Sequence, residues 1–189
     1  MNSSNKEKVR NEVIAQMKME PVFLDTETTG FGSDDEVVDI AIVALNGDVL
    51  LNELIKPTKA IPADANAIHG ITNKMVGSAP TWEEMWPEIT GALSGKNVAM
   101  YNVEFDFRLM RQSTEKHTIE WEPPNNKNID VMHLFAEYFG NWDEYHQSFT
   151  WQKLETAGRY FNIDLPNSHR ALADTLLTRE VFLRMGEDV

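Results

Sequence analysis

Cysteine is absent from the 189 residues, which excludes disulfides and thiolate metal sites, so any metal must be held by oxygen or imidazole. Long apolar runs are missing too: none approaches the ~20 residues that a membrane-spanning helix needs, and no membrane partner is expected. Basic residues are scarce, with 17 Lys and Arg against 30 Asp and Glu and a net charge of -13. Phosphate binding usually shows as a basic surface, so this balance argues against long, tight, sequence-independent binding of nucleic acid. A polyanionic substrate would have to be held by a local site or brought by a partner. Internal repeats, low-complexity tracts and linkers are lacking, and the N-terminus is polar and charged, unlike a signal peptide. The expectation is a single domain over residues 21–189 with a helical extension over 1–20, located in the cytoplasm.

What is present is organised around Val22 to Gly30, Val-Phe-Leu-Asp-Thr-Glu-Thr-Thr-Gly. The apolar start fits a central strand covered on both faces. Side chains alternate along a strand, which sets Phe23, Asp25 and Glu27 on one face and Val22, Leu24 and Thr26 on the other. Two carboxylates therefore stand together at the strand end. Like charges that close raise each other's pKa, and a divalent metal between them is the simplest way for both to stay ionised.

Upstream, Ser4-Asn5-Lys6-Glu7 has the form of a capping box for a helix carrying Val9, Val13 and Met17, stopped before Pro21. Downstream, two apolar runs, Val37 to Leu45 and Asp48 to Ile55, flank Asn46-Gly47, which predicts a type I′ hairpin and an antiparallel three-strand meander. Residues 61–77, with Ile68-His69-Gly70-Ile71-Thr72, read as loop. Thr81-Trp82-Glu83-Glu84 caps a helix towards Leu93, with Pro87 as a candidate kink within it. Asn97 to Tyr101 reads as a buried strand, followed by Asn102 and a helix from Glu104 to Gln112. Asp106 falls on its apolar arc with Phe105, Leu109 and Met110, and an inward acid needs a partner or a metal. Asn128 to Asp130 is a short strand, with Asp130 as cap of a helix to Tyr138. Residues 140–148 read as loop and Trp151 to Phe161 as an amphipathic helix. The last helix is expected to start at Ser168 as N-cap, with Ala171, Asp174, Thr178 and Val181 along one face. His169 and Asp174 would lie ~140° apart in a continuous helix, so they converge only if His169 sits at the helix mouth or on the loop before it.

Phe-Leu-Asp-Thr-Glu-Thr-Thr-Gly, Asn-Val-Glu-Phe-Asp-Phe-Arg-Leu and His-Arg-Ala-Leu-Ala-Asp, in that order, closely resemble the three exonuclease motifs of the DEDD family. A histidine with four residues between it and the last aspartate matches the DEDDh (DnaQ-like) branch, which includes the proofreading subunit of bacterial DNA polymerase III and ribonuclease T. The resemblance covers Pro21 to Leu183, and Ile68 to Thr72 also looks like a segment common among relatives of the polymerase subunit. It implies a ribonuclease H-like α/β fold: a mixed five-stranded sheet, an antiparallel meander then parallel strands, with helices on both faces. It also implies that Asp25, Glu27, Asp106 and Asp174 bind two Mg²⁺ or Mn²⁺ ions and that His169 is the general base. A base must be unprotonated, so activity is expected to rise from about pH 6 towards pH 8.

By the same resemblance, the backbone from Thr28 to Gly30 approaches the terminal nucleotide, and His69, Asn102 and Phe105 match positions near the substrate. Phe31 is the candidate for base stacking, which could hold a few nucleotides without a basic surface. Tyr101 departs from the pattern, since many relatives carry histidine before the asparagine. The function implied is 3′-5′ exonucleolytic release of nucleoside 5′-monophosphates from single-stranded 3′ ends, DNA in the first place, with a polymerase or repair protein as partner. An exoribonuclease or oligoribonuclease is the alternative, because DNA and RNA share the two-metal chemistry. A catalytically silent docking module or a non-catalytic cation binder would not require His169 at its spacing beside all four acids.

Overall fold

The computed structural model describes residues 2–121, 127–164 and 169–187. In chain order its elements are α1 Asn2–Met17, β1 Val22–Thr28, β2 Val37–Ala44, β3 Val49–Leu54, α2 Ala63–His69, α3 Asn73–Val76, α4 Trp82–Leu93, β4 Val98–Met100, α5 Val103–Lys116, β5 Asn128–Asp130, α6 Val131–Phe139, β6 Trp142–Asp143, β7 Ser148–Phe149, α7 Leu154–Tyr160 and α8 Ala171–Gly186. The main sheet has five strands in the order β3-β2-β1-β4-β5. β1, β2 and β3 pair antiparallel, and β4 and β5 continue parallel to β1. This is the expected ribonuclease H-like α/β arrangement.

The alternation along β1 decides what covers it. Phe23 packs on one face with Val9, Val13, Phe135, Leu177, Val181 and Phe182 from α1, α6 and α8. Val22 and Leu24 pack on the other with Trp82, Ile89 and Leu109 from α4 and α5. α1 is thus built into the core, with Val9 and Val13 fully buried. β1 pairs with β4 only at Val22 and Phe23, so Asp25 and Glu27 lie beyond the last shared rung. A crevice opens there, past the carboxyl ends of two parallel strands, where open α/β sheets present their sites.

Several local expectations change. α1 begins at Asn2, so Ser4 lies inside the helix and does not cap it. Gly47 (φ 97°) has a positive φ and Asn46 does not. With Gly47 N–H donating to Ala44 O and Ala44 N–H to Asp48 O, the hairpin is a three-residue loop closed by a glycine bulge, not a type I′ turn. Residues 61–77 contain α2 and α3, and residues 140–148 carry the small β6/β7 ribbon; elements this short leave no readable periodicity. α7 starts at Leu154, three residues after Trp151. The caps at Thr81 and Asp130 form as expected. Ser168 lies outside the described residues, and the described N-cap of α8 is Arg170.

Candidate active site

Asp25 and Glu27 project from the end of β1, and Asp174 from the first turn of α8 meets them: one oxygen from each lies within 4.8 Å of the others. Asp106 reaches the same place from α5 on the opposite face of the sheet. Its Oδ1 accepts from the Thr26 amide at 3.1 Å and from Thr26 Oγ1 at 2.7 Å, which fixes one oxygen and leaves Asp106 outside the close group. The Asn102 side chain starts α5 by accepting from the Phe105 amide, so the acid rides on a capped first turn.

The electrostatics of this cluster are unfavourable for bare carboxylates. Burial, and then the charges of Asp106, Glu27 and Asp174, push the Asp25 carboxyl well above its ordinary range. Burial, followed by repulsion from Asp174 and Asp39, pushes Glu27 from 4.5 up to about 8. Burial raises Asp106 from 3.8 to about 7 despite the two bonds from Thr26. Four partly or fully buried carboxyl groups, all oxygen donors, are the set that hard divalent cations take, and such a cation removes the repulsion. The residues present therefore fit Mg²⁺ or Mn²⁺.

His169 lies just before α8 with φ 48°, and its Nδ1 is 4.0 Å from Asp174 Oδ2. The helix-mouth placement resolves the angular problem posed by its spacing from Asp174. Its neighbour Arg170 donates from Nε to Asp39 Oδ2 at 2.8 Å, and the same oxygen accepts from the Ala171 amide at 3.3 Å. Asp39 lies opposite Glu27 across the β1/β2 ladder, and sequence reasoning missed it. A lone acid inside the buried run Val37–Ala44 is its only signal.

The loop after β1 is tightly held. Thr28 Oγ1 donates to Gly30 O, and a Cβ on Gly30 would come within 2.7 Å of Asp35 Oδ2. Gln112 Nε2 donates to the carbonyls of Gly32 and Asp35. His69 is buried at the end of α2. The Ile71 amide donates to its Nδ1, so its Nε2 carries the proton shared with Thr28 O at 3.2 Å. Burial lowers its pKa, in keeping with a neutral ring. Both nitrogens are thus engaged within the protein. Phe31 is 70% exposed and its ring lies 5.8 Å from that of Phe105, which carries the Arg108 guanidinium at 5.4 Å.

These groups line two joined hollows. A cleft of 820 Å³ is lined by Asp25, Glu27, Asp106, Asp174 and His169, together with the Phe31/Phe105 pair and Tyr101, Met132 and Trp151. A second hollow of 630 Å³ continues past Thr28, Gly30 and His69 to Ile68. Asn102 lines the first, so every residue expected at the site borders one hollow or the other. No helix among the described residues is long and apolar enough to cross a membrane.

Against known proteins, residues 22–182 match the family model of the RNase T exonucleases. The chain is 38% identical over 162 residues to the uncharacterized exonuclease CP81 of Escherichia phage 186, covering 83% of each. It is 33% identical to a PolC-type DNA polymerase III of Thermotoga maritima over 88% of this chain, but spans only 12% of that longer protein. Among solved structures, Escherichia coli exonuclease I in complex with a dA16 oligonucleotide superposes with a TM-score of 0.69 at 20% identity, over 84% of this chain and 39% of that one.

Proposed function

The chain belongs to the RNase T exonuclease family, as a 3′-5′ exonuclease of the DEDDh type, and from that premise we propose that it removes nucleoside 5′-monophosphates from the 3′ ends of single-stranded DNA. The observation that carries the reading is the meeting of Asp25, Glu27 and Asp174 within 4.8 Å, beside Asp106 and with His169 at 4.0 Å from Asp174, in one open cleft. DNA as substrate is supported by the polymerase relative and by the oligonucleotide complex of the structural neighbour.

Asp25, Glu27, Asp106 and Asp174 would hold two Mg²⁺ or Mn²⁺ ions. The chemistry such ions supply when bound is Lewis acidity towards a water and the terminal phosphodiester. The His169 ring faces Asp174 with Nδ1 at 4.0 Å, and Nε2 takes the proton of the attacking water. Thr26 holds Asp106 by one oxygen so that the other faces the cleft. Backbone from Thr28 to Gly30, together with Asn102 and Phe105, contacts the terminal nucleotide, and His69 fixes this wall through the Thr28 carbonyl. With a net charge of -13 the domain is suited to work beside a polymerase or repair protein that delivers the end, in the cytoplasm.

The test is digestion of a 5′-labelled single-stranded DNA and its RNA counterpart with Mg²⁺ or Mn²⁺, beside a chelator control and Asp25→Ala. A ladder shrinking from the 3′ end, faster on DNA and lost in both controls, is expected. Intact DNA with either ion contradicts the reading, and a faster RNA ladder replaces the sugar.

A further inference from the structure

The lining of the cleft contains a side chain that the chemistry above does not use. Trp151 is 63% exposed, yet it borders the same cleft as the four carboxylates. Single exposed apolar residues are ordinary on protein surfaces. This one is held. The Tyr101 hydroxyl, on a residue only 9% exposed, donates to the Gln152 carbonyl at 2.6 Å. The Thr150 amide donates to Asn141 O at 2.8 Å, and Gln152 Nε2 donates to Thr150 O at 3.0 Å. Backbone on both sides of Trp151 is thus tied down, and the indole rests against the His133 ring at 5.9 Å between centroids. Lys153 and Glu155 border the cleft beside it.

Resting on the nuclease reading, we propose that Trp151 is a stacking subsite for a nucleobase of the single strand entering the cleft, with Lys153 beside it for the phosphate, and that Tyr101 is the positioning residue that sets it. A chain of net charge -13 gains little from diffuse attraction to phosphates, so affinity has to come from local contacts. An indole face accepts any base and keeps its affinity in salt, which suits an enzyme that must shift along a strand after every cleavage. The phenol at 101 gains a role here: its buried ring reaches the 150–153 segment from the end of β4.

The experiment measures dissociation constants for a fluorescent single-stranded oligonucleotide in chelator, and KM for its digestion with Mn²⁺, in wild type, Trp151→Ala, Trp151→Phe, Tyr101→Phe and the Ala/Phe double variant. Trp151→Ala is expected to weaken binding and raise KM by about tenfold, the effect of losing one stacked base, with Trp151→Phe intermediate. Tyr101→Phe is expected to raise KM in the same direction, and this effect vanishes in the Trp151→Ala background because both act through one contact. Wild-type binding and KM, within twofold, in Trp151→Ala overturns the subsite, and full additivity of the two changes overturns the role of Tyr101. A wild-type protein that digests no oligonucleotide counts instead against the nuclease reading, while the binding series in chelator still decides on Trp151.

Discussion

Asp39 and Arg170, 131 positions apart in the chain, are joined by a 2.8 Å bond from Nε to Oδ2, and the same oxygen caps the α8 amide of Ala171. Through this pair β2, the strand opposite Glu27, holds the residue that follows His169. His169, the base in the proposed mechanism, thus precedes a residue held by a carboxylate that is only 2% exposed, while Arg170 remains 41% exposed.

Asp39→Ala leaves the Ala171 amide and Arg170 without their acceptor. A buried acceptor lost from a charged pair costs about 2 kcal/mol when one partner keeps access to water. Turnover should fall by roughly tenfold or more, since small misplacement of a base is costly. Asn at 39 retains an acceptor and is expected to lose less of both. Denaturant unfolding and single-turnover kinetics test this, and wild-type values in Asp39→Ala would show that His169 is located by other contacts.

The raised carboxyls make the stability of the metal-free protein depend on pH with a definite sign. Glu27 goes from 4.5 to about 8 and Asp106 from 3.8 to about 7 on folding. Between each pair of values the folded state binds the extra proton, so the contribution of these groups is full below about pH 4 and is lost as pH rises through about 7 to 8. In chelator, the thermal midpoint should decline across that window, and Mn²⁺ should restore it. Glu27→Gln, which removes the repelling charge, should raise the midpoint in chelator at about pH 8 by the equivalent of about 1–3 kcal/mol while weakening the response to Mn²⁺. A chelated wild type with a flat profile over that range contradicts the repulsion.

What could be read ahead of the structure follows from how local each signal is. Asp25 and Glu27 were legible because strand alternation puts them side by side, and Asp106 and Asp174 because each is an acid on an apolar stripe. The caps at Thr81 and Asp130 bond within three residues, as cap rules require. The partners of Asp39, Thr26 and Tyr101 lie 131, 80 and 51 positions away, and no periodicity carries such distances. The hairpin at Gly47 went wrong for a different reason: Asn-Gly suits two turn types, and the hydrogen bonds around Ala44 choose between them.

Gly30→Ala probes the loop that follows β1. The added Cβ would stand 2.7 Å from Asp35 Oδ2. That carboxylate cannot easily withdraw, since the Gly32 amide, Thr29 Oγ1 and Lys59 all hold it. The cost should be about 1–3 kcal/mol, together with a raised KM as Phe31 shifts. A variant with unchanged thermal midpoint and KM would mean that the loop adapts freely.

His169→Asn separates proton transfer from metal binding. Asparagine tolerates the left-handed backbone at this position, φ 48°, and His169 is 54% exposed, so the fold should persist. Loss of a general base lowers turnover by about 10²–10⁴-fold. The carboxylates Asp25, Glu27 and Asp174 form their close group without His169, so the rise in thermal midpoint on adding Mn²⁺ should remain close to that of wild type. Asp174→Asn should diminish both, because Asp174 belongs to the group and also faces the His169 ring. If His169→Asn abolished the Mn²⁺ shift, the histidine would be a ligand and the base would have to be sought elsewhere. If turnover persisted with the shift intact, proton removal would be left to solvent.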